Sequence, residues 1–480
     1  MRKSRFVLIL ILLLAAGLRF YHLGDNSFDV DELASMESST GRDMAHMLVP
    51  LNRPIAMPAS LTALDGAPPA WKVWEGMRLD NHPPLYFLLL RLWRDLFGSD
   101  EMSVRLLSVI FSLAAVVLIY LAVGELSPDR PGAALWAAAL TGAAPLLIHY
   151  GRYVRMYSLL EMFSAGALLA MVRLDRKEKS PARLLALGLC ALGAVMTHYF
   201  AVAIIAAGIG YALARFSGSL RRWTLMALLA ACVLFAMIWG PFLWQQRHNF
   251  IANNAWQFEP ASGHVSRTML RAGELPIRIF TEASIIPGAW ALLGLLAYVI
   301  PLFFMRRRPG LLLVYLWALL PCLLLIVFDL LKSGTLSDEP RYAIAATPAA
   351  AALVALLFAD RAAWLRHMAP GLLALACVVQ TPGIYAADND FQRLATFLQN
   401  HQGPDDAIVF CGSGDTAWHA NVLLLVATTY APHLPGQCVL LTKPPSAGLS
   451  AWLADRHHVW QVTIPGDEFY RLGGNVTVWR

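Results

Sequence analysis

Apolar runs long enough to fill a bilayer alternate with short charged breaks along most of this chain. A membrane span needs about 20 mostly apolar residues. Stretches of that kind fall at 5–20, 103–125, 132–149, 157–173, 183–198, 199–214, 223–243, 286–305, 310–330, 342–359 and 368–386. They predict a mainly α-helical, polytopic transmembrane bundle of about 11 spans. The breaks "SPDRPG", "RLDRKEKSPAR", "RFSGSLRRW", "MRRRPG" and "DRAAWLRHM" all carry Arg or Lys. They share one side when the amino terminus is cytoplasmic, so the positive-inside rule orients the chain N-in. An odd number of spans then puts the acidic first loop and the whole carboxy terminus outside. The start of the chain resembles a signal peptide. It reads as a retained first span, because no small-x-small cleavage site follows Leu18.

Three external segments interrupt the pattern. The first loop, 21–102, contains "LYFLLLRLWRDLFG", too short to span and carrying Arg91 and Arg94. That pattern suits a helix lying along the membrane surface. The second, 244–285, mixes Trp, Asn, His and Arg. The third is the tail, where "DFQRLATFLQNH" has helical period and "DAIVFC", "QCVLLT" and "HVWQVTI" read as short strands. The expected division is a transmembrane domain over 1–386 and a small α/β domain over 387–480. Cys411 and Cys438 in that tail are open between a disulfide and two buried thiols.

Composition agrees with the pattern. Hydrophobic residues make up 58% and charged ones 15%, where soluble domains carry about 25% charged. The net charge of +6 sits between the apolar runs, so it reports topology and excludes nucleic acid as a partner. No two of the six cysteines have the close spacing of a zinc site.

Candidate chemistry gathers at the outer ends of the spans. "FDVDELAS" places Asp29, Asp31 and Glu32 just past the first span. Capping of a following helix is the plainer explanation for these acids. "LDNHPPLYF" sets Asp80, Asn81 and His82 before two prolines that stiffen the entry to the surface helix. "HYGRYVRMYSLLE" puts Arg152 and Arg155 on the outer side, where topology asks for no cation, with Tyr157 beside them. Snorkelling to headgroups would account for these arginines, and so would binding a phosphate. "MTHYFA" and "SDEPRYAIAATP" add His198, Arg341 and Tyr342, with Glu339 able to pair with Arg341. Carboxylates, histidines and arginines at one membrane face suit a reaction on a lipid-linked phosphate. Cations would hold the phosphate leaving group, and a carboxylate would take a proton from the attacking group.

Those motifs, in that order, resemble the membrane glycosyltransferases of the GT-C type. The nearest group is the bacterial relatives of protein O-mannosyltransferases and of the lipid A aminoarabinose transferase. The resemblance covers about 5–386 and is strongest up to about 200. It implies a polyprenyl-phosphate sugar as donor, transfer on the periplasmic face of a bacterial inner membrane, and inversion at the anomeric centre. It also implies Asp31 as base with Glu32 in support, and donor phosphate held by His82, Arg152, Arg155 and Arg341. Asp29, Asp80, Asn81, Tyr157, His198 and Tyr342 would support or bind substrate. Where the aminoarabinose transferases have Glu-Lys-Pro, this chain has Asn81-His82-Pro83. His82 would then replace a lysine, and a metal held by that glutamate is in doubt. No cofactor is expected, and a divalent metal stays open. Tyr157 stands where those enzymes have an aspartate, so a second acid would come from Asp29 or Asp80.

The activity so implied is sugar transfer to a glycan, lipid or protein acceptor. A lipid-linked glycan transporter or flippase is the alternative from another class, expected to show paired charges at mid-membrane and broken helices. A polysaccharide polymerase or ligase would use a similar donor. The sugar, the acceptor and the oligomeric state are not readable from the chain.

Overall fold

The computed structural model describes residues 2–176, 180–253, 258, 264–281, 288–307, 310–385, 391–412, 418–463, 472 and 475–479. The helices run α1 (Arg2–Phe20), α2 (Val30–Ser38), α3 (Lys72–Gly76), α4 (Leu85–Phe97), α5 (Glu101–Leu126), α6 (Pro131–Ala143), α7 (Pro145–Gly151), α8 (Tyr157–Arg176), α9 (Pro181–Val195) and α10 (Val202–Arg215). They continue as α11 (Gly218–Asn253), α12 (His264–Thr281), α13 (Gly288–Gly294), α14 (Leu296–Val299), α15 (Gly310–Lys332), α16 (Thr347–Phe358), α17 (Ala363–Tyr385), α18 (Phe391–His401), α19 (Trp418–Tyr430) and α20 (Ala447–Ala454). The strands are β1 (Ile55–Ala56), β2 (Ala407–Cys411), β3 (Gln437–Leu441), β4 (Val459–Val462) and β5 (Val476–Trp479).

Two compact units divide the chain. The first comprises Met1–Leu23, Asn81–Tyr86 and Val104–Ala387; the second comprises Gly24–Asp80, Phe87–Ser103 and Asp388–Arg480. The first loop thus folds largely with the tail, where the linear pattern had grouped it with the membrane helices. The expected boundary at 386/387 falls outside the described residues.

The first unit is helical. Among the described residues six helices are long and apolar enough to cross a membrane, or seven if α6 and α7, bent by 59°, form one broken span. The difference from about eleven has a physical reason. Pro181–Val195, Tyr199–Arg215 and Leu296–Met305 are apolar but short, and α1 carries Arg2, Lys3, Arg5 and Arg19. The expected external loop at 244–285 is mostly helix, since α11 runs on to Asn253 and α12 begins at His264.

The second unit is α/β. Its sheet has the order β1-β3-β2-β4-β5. The strands β3, β2, β4 and β5 run parallel, and β1 pairs antiparallel with β3 through Ile55–Cys438 and Ala56–Gln437. The three strands expected in the tail are present. Two were not foreseen: β1, lent by the first loop, and β5. An uncovered β3 edge would present unpaired N–H and C=O groups, and β1 with the Leu51–Leu440 bridge covers part of it. One sheet face packs Ala407, Val409, Cys411, Val439, Leu441, Leu449 and Leu453 into a core.

The strand register decides the cysteines. Cys438 pairs with Ile408 while Cys411 pairs with Leu441. They are three residues out of step, about 10 Å along the strands, and side chains alternate faces. Both are buried free thiols, and in neither case could a disulfide form without moving a strand.

Asp406 anchors the start of β2. It is buried and accepts from the Gly403 N–H at 2.8 Å, His457 Nδ1 at 3.2 Å and the Trp460 indole at 3.3 Å. Burial alone would raise its pKa, but these donors outweigh burial and hold it below the ordinary carboxylate value. A carboxyl lowered by folding stabilises the native state above its unfolded pKa of about 3.9, and that contribution is lost as pH falls through the folded value. Asp406→Asn is therefore expected to cost about 1–3 kcal/mol at pH 7. It should also flatten the acid limb of the unfolding midpoint, followed from pH 7 down to pH 3 on the full-length protein.

Candidate active site

In the second unit the acidic cluster opens α2. Asp29 is the N-cap, and its Oδ1 accepts from the Asp31 N–H at 3.1 Å. Glu32, buried at 1% exposure, accepts from the Asp29 N–H at 3.0 Å, completing a capping box. Such a box satisfies two helix-end donors reciprocally. Two of the three expected acids thus have a structural task. Asp31 is not one of the box carboxylates; it is half-buried in the first turn of α2.

The other end of α2 is held by arginines from α4. Arg94 donates to Met36 O and Ser39 Oγ at 2.7 Å each, to Thr62 O at 2.5 Å and to Ser99 Oγ at 3.0 Å. Arg91 donates to Thr40 O at 2.9 Å and Pro68 O at 3.0 Å, and pairs with Asp95. The expected surface helix therefore turns its arginines inward, and Leu92, Leu96 and Phe97 are its large exposed apolar residues. Asp80, expected near Asp31 as a second acid, is buried at this far end and accepts from Ser38 Oγ at 3.3 Å. Seven residues of helix separate Ser38 from Asp31, about 10 Å.

In the first unit most of the expected residues meet around His198. Its ring centroid lies 5.8 Å from His82, 6.0 Å from Tyr157, 6.1 Å from Tyr342 and 5.1 Å from Phe200. Arg155, Arg341 and His82 are all close enough to act on this ring electrostatically. His198 caps the short turn Tyr199–Ala201 by accepting from the Phe200 N–H at 3.2 Å, which fixes its direction. Arg155 is buried, and its N–H donates to Tyr153 O at 2.7 Å. Arg341 lies over the Tyr342 ring at 5.5 Å and pairs with Glu339 at 3.4 Å, so the plain pairing foreseen for it exists. Tyr157 stacks edge-on with Tyr150 at 4.6 Å.

Arg152 has other work. It donates to His22 O at 2.8 Å and sits over the Tyr385 ring at 4.7 Å. That ties the α7–α8 turn to the segment after α1 and to α17. Asn81 belongs to the same unit as His82 and is half-buried.

Three residues missed in the sequence support the cluster. Gln246 on α11 donates to His82 O at 3.1 Å and accepts from the Tyr199 hydroxyl. The Trp239 indole donates to the same hydroxyl at 2.9 Å. The Pro83-Pro84 entry is thus braced from a helix more than 150 residues away in sequence. Only "THYF", which contains Tyr199, hinted at this. Among the described residues no three of His, Cys, Asp and Glu come together in metal-binding fashion.

Residues 81–243 match the family model described as dolichyl-phosphate-mannose-protein mannosyltransferase. Among solved structures, the chain is similar to the oligosaccharyltransferase of Archaeoglobus fulgidus in complex with zinc and sulfate. Identity is 13%, the TM-score is 0.53, and the match covers 91% of this chain and 62% of that one. The archaeal oligosaccharyltransferase AglB of the same organism, solved with an inhibitory peptide and a dolichol-phosphate, matches at 13% identity and a TM-score of 0.50, over 92% of this chain and 64% of that one. ArnT from Cupriavidus metallidurans in the apo state matches at 16% identity and a TM-score of 0.47, over 90% of this chain and 77% of that one. No curated protein matches. The chain spans about three fifths of the archaeal enzyme's length. Its fold is similar to that of these GT-C type membrane proteins, the type that its motifs resemble, and residues 81–243 match the family model.

Proposed function

We propose that this protein transfers a sugar from a polyprenyl-phosphate donor to an acceptor hydroxyl or amine at the periplasmic face of a bacterial inner membrane. The observation that carries this reading is the gathering of His82, Arg155, Arg341, Tyr157 and Tyr342 around His198. Two guanidiniums and two imidazoles present donors suited to phosphate oxygens. As the sugar–phosphate bond breaks, negative charge grows on the leaving phosphate, and fixed cations stabilise that charge most in the transition state. The tyrosines offer flat apolar surface for the first isoprene units or the sugar ring. Asp31 takes the acceptor's proton; attack from the face opposite the phosphate inverts the anomeric centre. Asp29 and Glu32 set the helix turn that presents it. All eleven apolar stretches are taken as spans in this scheme, with the amino terminus inside.

Arg155→Ala is expected to weaken donor binding about 10–100-fold, given that a hydrogen bond to a charged group contributes about 1.5–3 kcal/mol. Titration of the protein in nanodiscs with a labelled polyprenyl phosphate reads this directly. Unchanged affinity would remove Arg155 from the phosphate site. Activity with and without a chelator settles the metal.

One observation favours the transporter alternative: α6 and α7 form a bent pair, and Arg19 and Glu161 are buried inside the helical unit. Transporters place broken helices and ionisable residues at such positions. Proteoliposomes separate the two. Transfer yields a new glycosylated product and free polyprenyl phosphate, whereas transport yields accumulation without covalent change.

A further inference from the structure

The Arg19–Glu161 network has no part in the chemistry above. Arg19, at the end of α1, has no exposed surface. Its Nε donates to Ser112 Oγ at 3.0 Å. Nη1 donates to Ala15 O at 3.1 Å and Gly142 O at 2.8 Å, and Nη2 donates to Leu147 O at 3.3 Å. Ser112, on α5, passes a hydrogen bond to Glu161 Oε2 on α8 at 3.3 Å. The guanidinium therefore fills the break between α6 and α7, satisfying carbonyls on both sides of it. The bend frees carbonyls that an unbroken helix would have used.

The same group sets the next turn. A Cβ on Gly151 would come within 2.7 Å of Ser112 Oγ and 2.9 Å of Arg19 Nε. The chain reaches this contact only because residue 151 has no side chain. Two residues on, Tyr153 O accepts from Ser108 Oγ at 2.8 Å, and Ser108 in turn meets the Tyr86 hydroxyl at 3.2 Å. Residues 151–156, which carry Arg155, are thus pinned from α1 and α5. The network is not built for stability alone. Glu161 Oε1 and Ser158 Oγ are buried and have no partner among the described residues. A buried charged set left partly unsatisfied is commonly less stabilising than apolar packing.

We infer that Arg19, Ser112 and Glu161 are positioning residues that fix the turn from Gly151 to Met156 and so the direction of Arg155. The bearing on donor binding rests on the function proposed above; the effect on the turn does not. The double variant Arg19→Met/Glu161→Met removes both ionisable groups together, so that neither is left buried alone, and the local exchange of the turn is read beside the global unfolding. Hydrogen–deuterium exchange of residues 151–156 would be followed in nanodiscs, beside thermal unfolding and titration with labelled polyprenyl phosphate. The expected result is a lowered unfolding midpoint, because Gly142 O loses its guanidinium donor, together with exchange of this turn at least tenfold faster while that of α15 stays as in the wild type, and binding about tenfold weaker. Ser112→Ala, which removes only the bridging hydroxyl, should give a smaller shift in the same direction. It decides the matter if the double variant does not fold. Unchanged exchange of the turn in a folded variant overturns the inference. Faster exchange with unchanged binding overturns the link to the donor. A wild-type protein that binds no polyprenyl phosphate defeats the proposed function, while the exchange data still judge the turn.

Discussion

Asp31→Asn is expected to lower sugar transfer by a factor of about 10²–10⁴, the usual contribution of a positioned general base. The amide keeps the shape of the side chain and removes its capacity to take a proton. The fold should tolerate the change because the capping box uses Asp29 and Glu32. The backbone N–H of residue 31, which donates to Asp29, is also untouched. The neighbouring acids give the contrast. Asp29→Ala should cost about 0.5–2 kcal/mol through loss of the N-cap and leave the proton acceptor in place. Initial rates in proteoliposomes, paired with unfolding midpoints, separate the two behaviours. Full activity in the Asp31→Asn protein would remove the assigned base.

Arg94→Met is expected to destabilise the second unit by about 2–4 kcal/mol. The substitution strands Thr62 O and removes the hydrogen bonds to Met36 O and Ser39 Oγ, of which Met36 O keeps the Ser39 hydroxyl at 2.8 Å. Each buried acceptor left unpaired costs about 1–3 kcal/mol. Repulsion works the other way: Arg91 and Arg42 both act on the Arg94 charge. Its loss relieves them, which keeps the net cost below the sum. Methionine also retains some of the packing of the aliphatic stem. Because Arg94 grips the carboxy-terminal end of α2, the helix should loosen along its length. Limited proteolysis within 24–80 and a lowered midpoint would show it. A midpoint within 1 °C of the wild type, against the roughly 4–8 °C per kcal/mol of a small domain, would mean that water replaces the guanidinium without cost.

Much of the helical pattern was legible because burial in lipid demands long apolar runs, and a run states its own length. The partners of His198 were legible as motifs because Arg155 stands where the predicted orientation calls for no cation, Arg341 just before a predicted span, and His82 before a double proline. What they do together was not, since no local pattern shows that they converge on His198. The β1 strand was hidden for a different reason. Two residues, Ile55 and Ala56, carry no periodicity, and their partner Cys438 lies more than 380 positions away. Arg152 and Arg155 looked alike in sequence, yet one ties backbone at His22 while the other faces the histidine cluster. The brace from Gln246 and the Arg19–Ser112–Glu161 network arise from contacts between distant helices, which no local pattern records. The inward turn of Arg91 and Arg94 was equally unreadable, because an apolar helix with arginines suits a membrane surface whichever way the cations point.

The proposed transfer of a sugar from a lipid phosphate, with Asp31 as the base, leaves its mark on the cell envelope. Mass spectrometry of lipids and envelope glycans tests it most directly, comparing cells with the wild-type gene, without the gene, and with Asp31→Asn alone. One sugar-sized mass increment should be present in the first and missing from the other two, with the variant protein still in the membrane. The same increment in all three would contradict it.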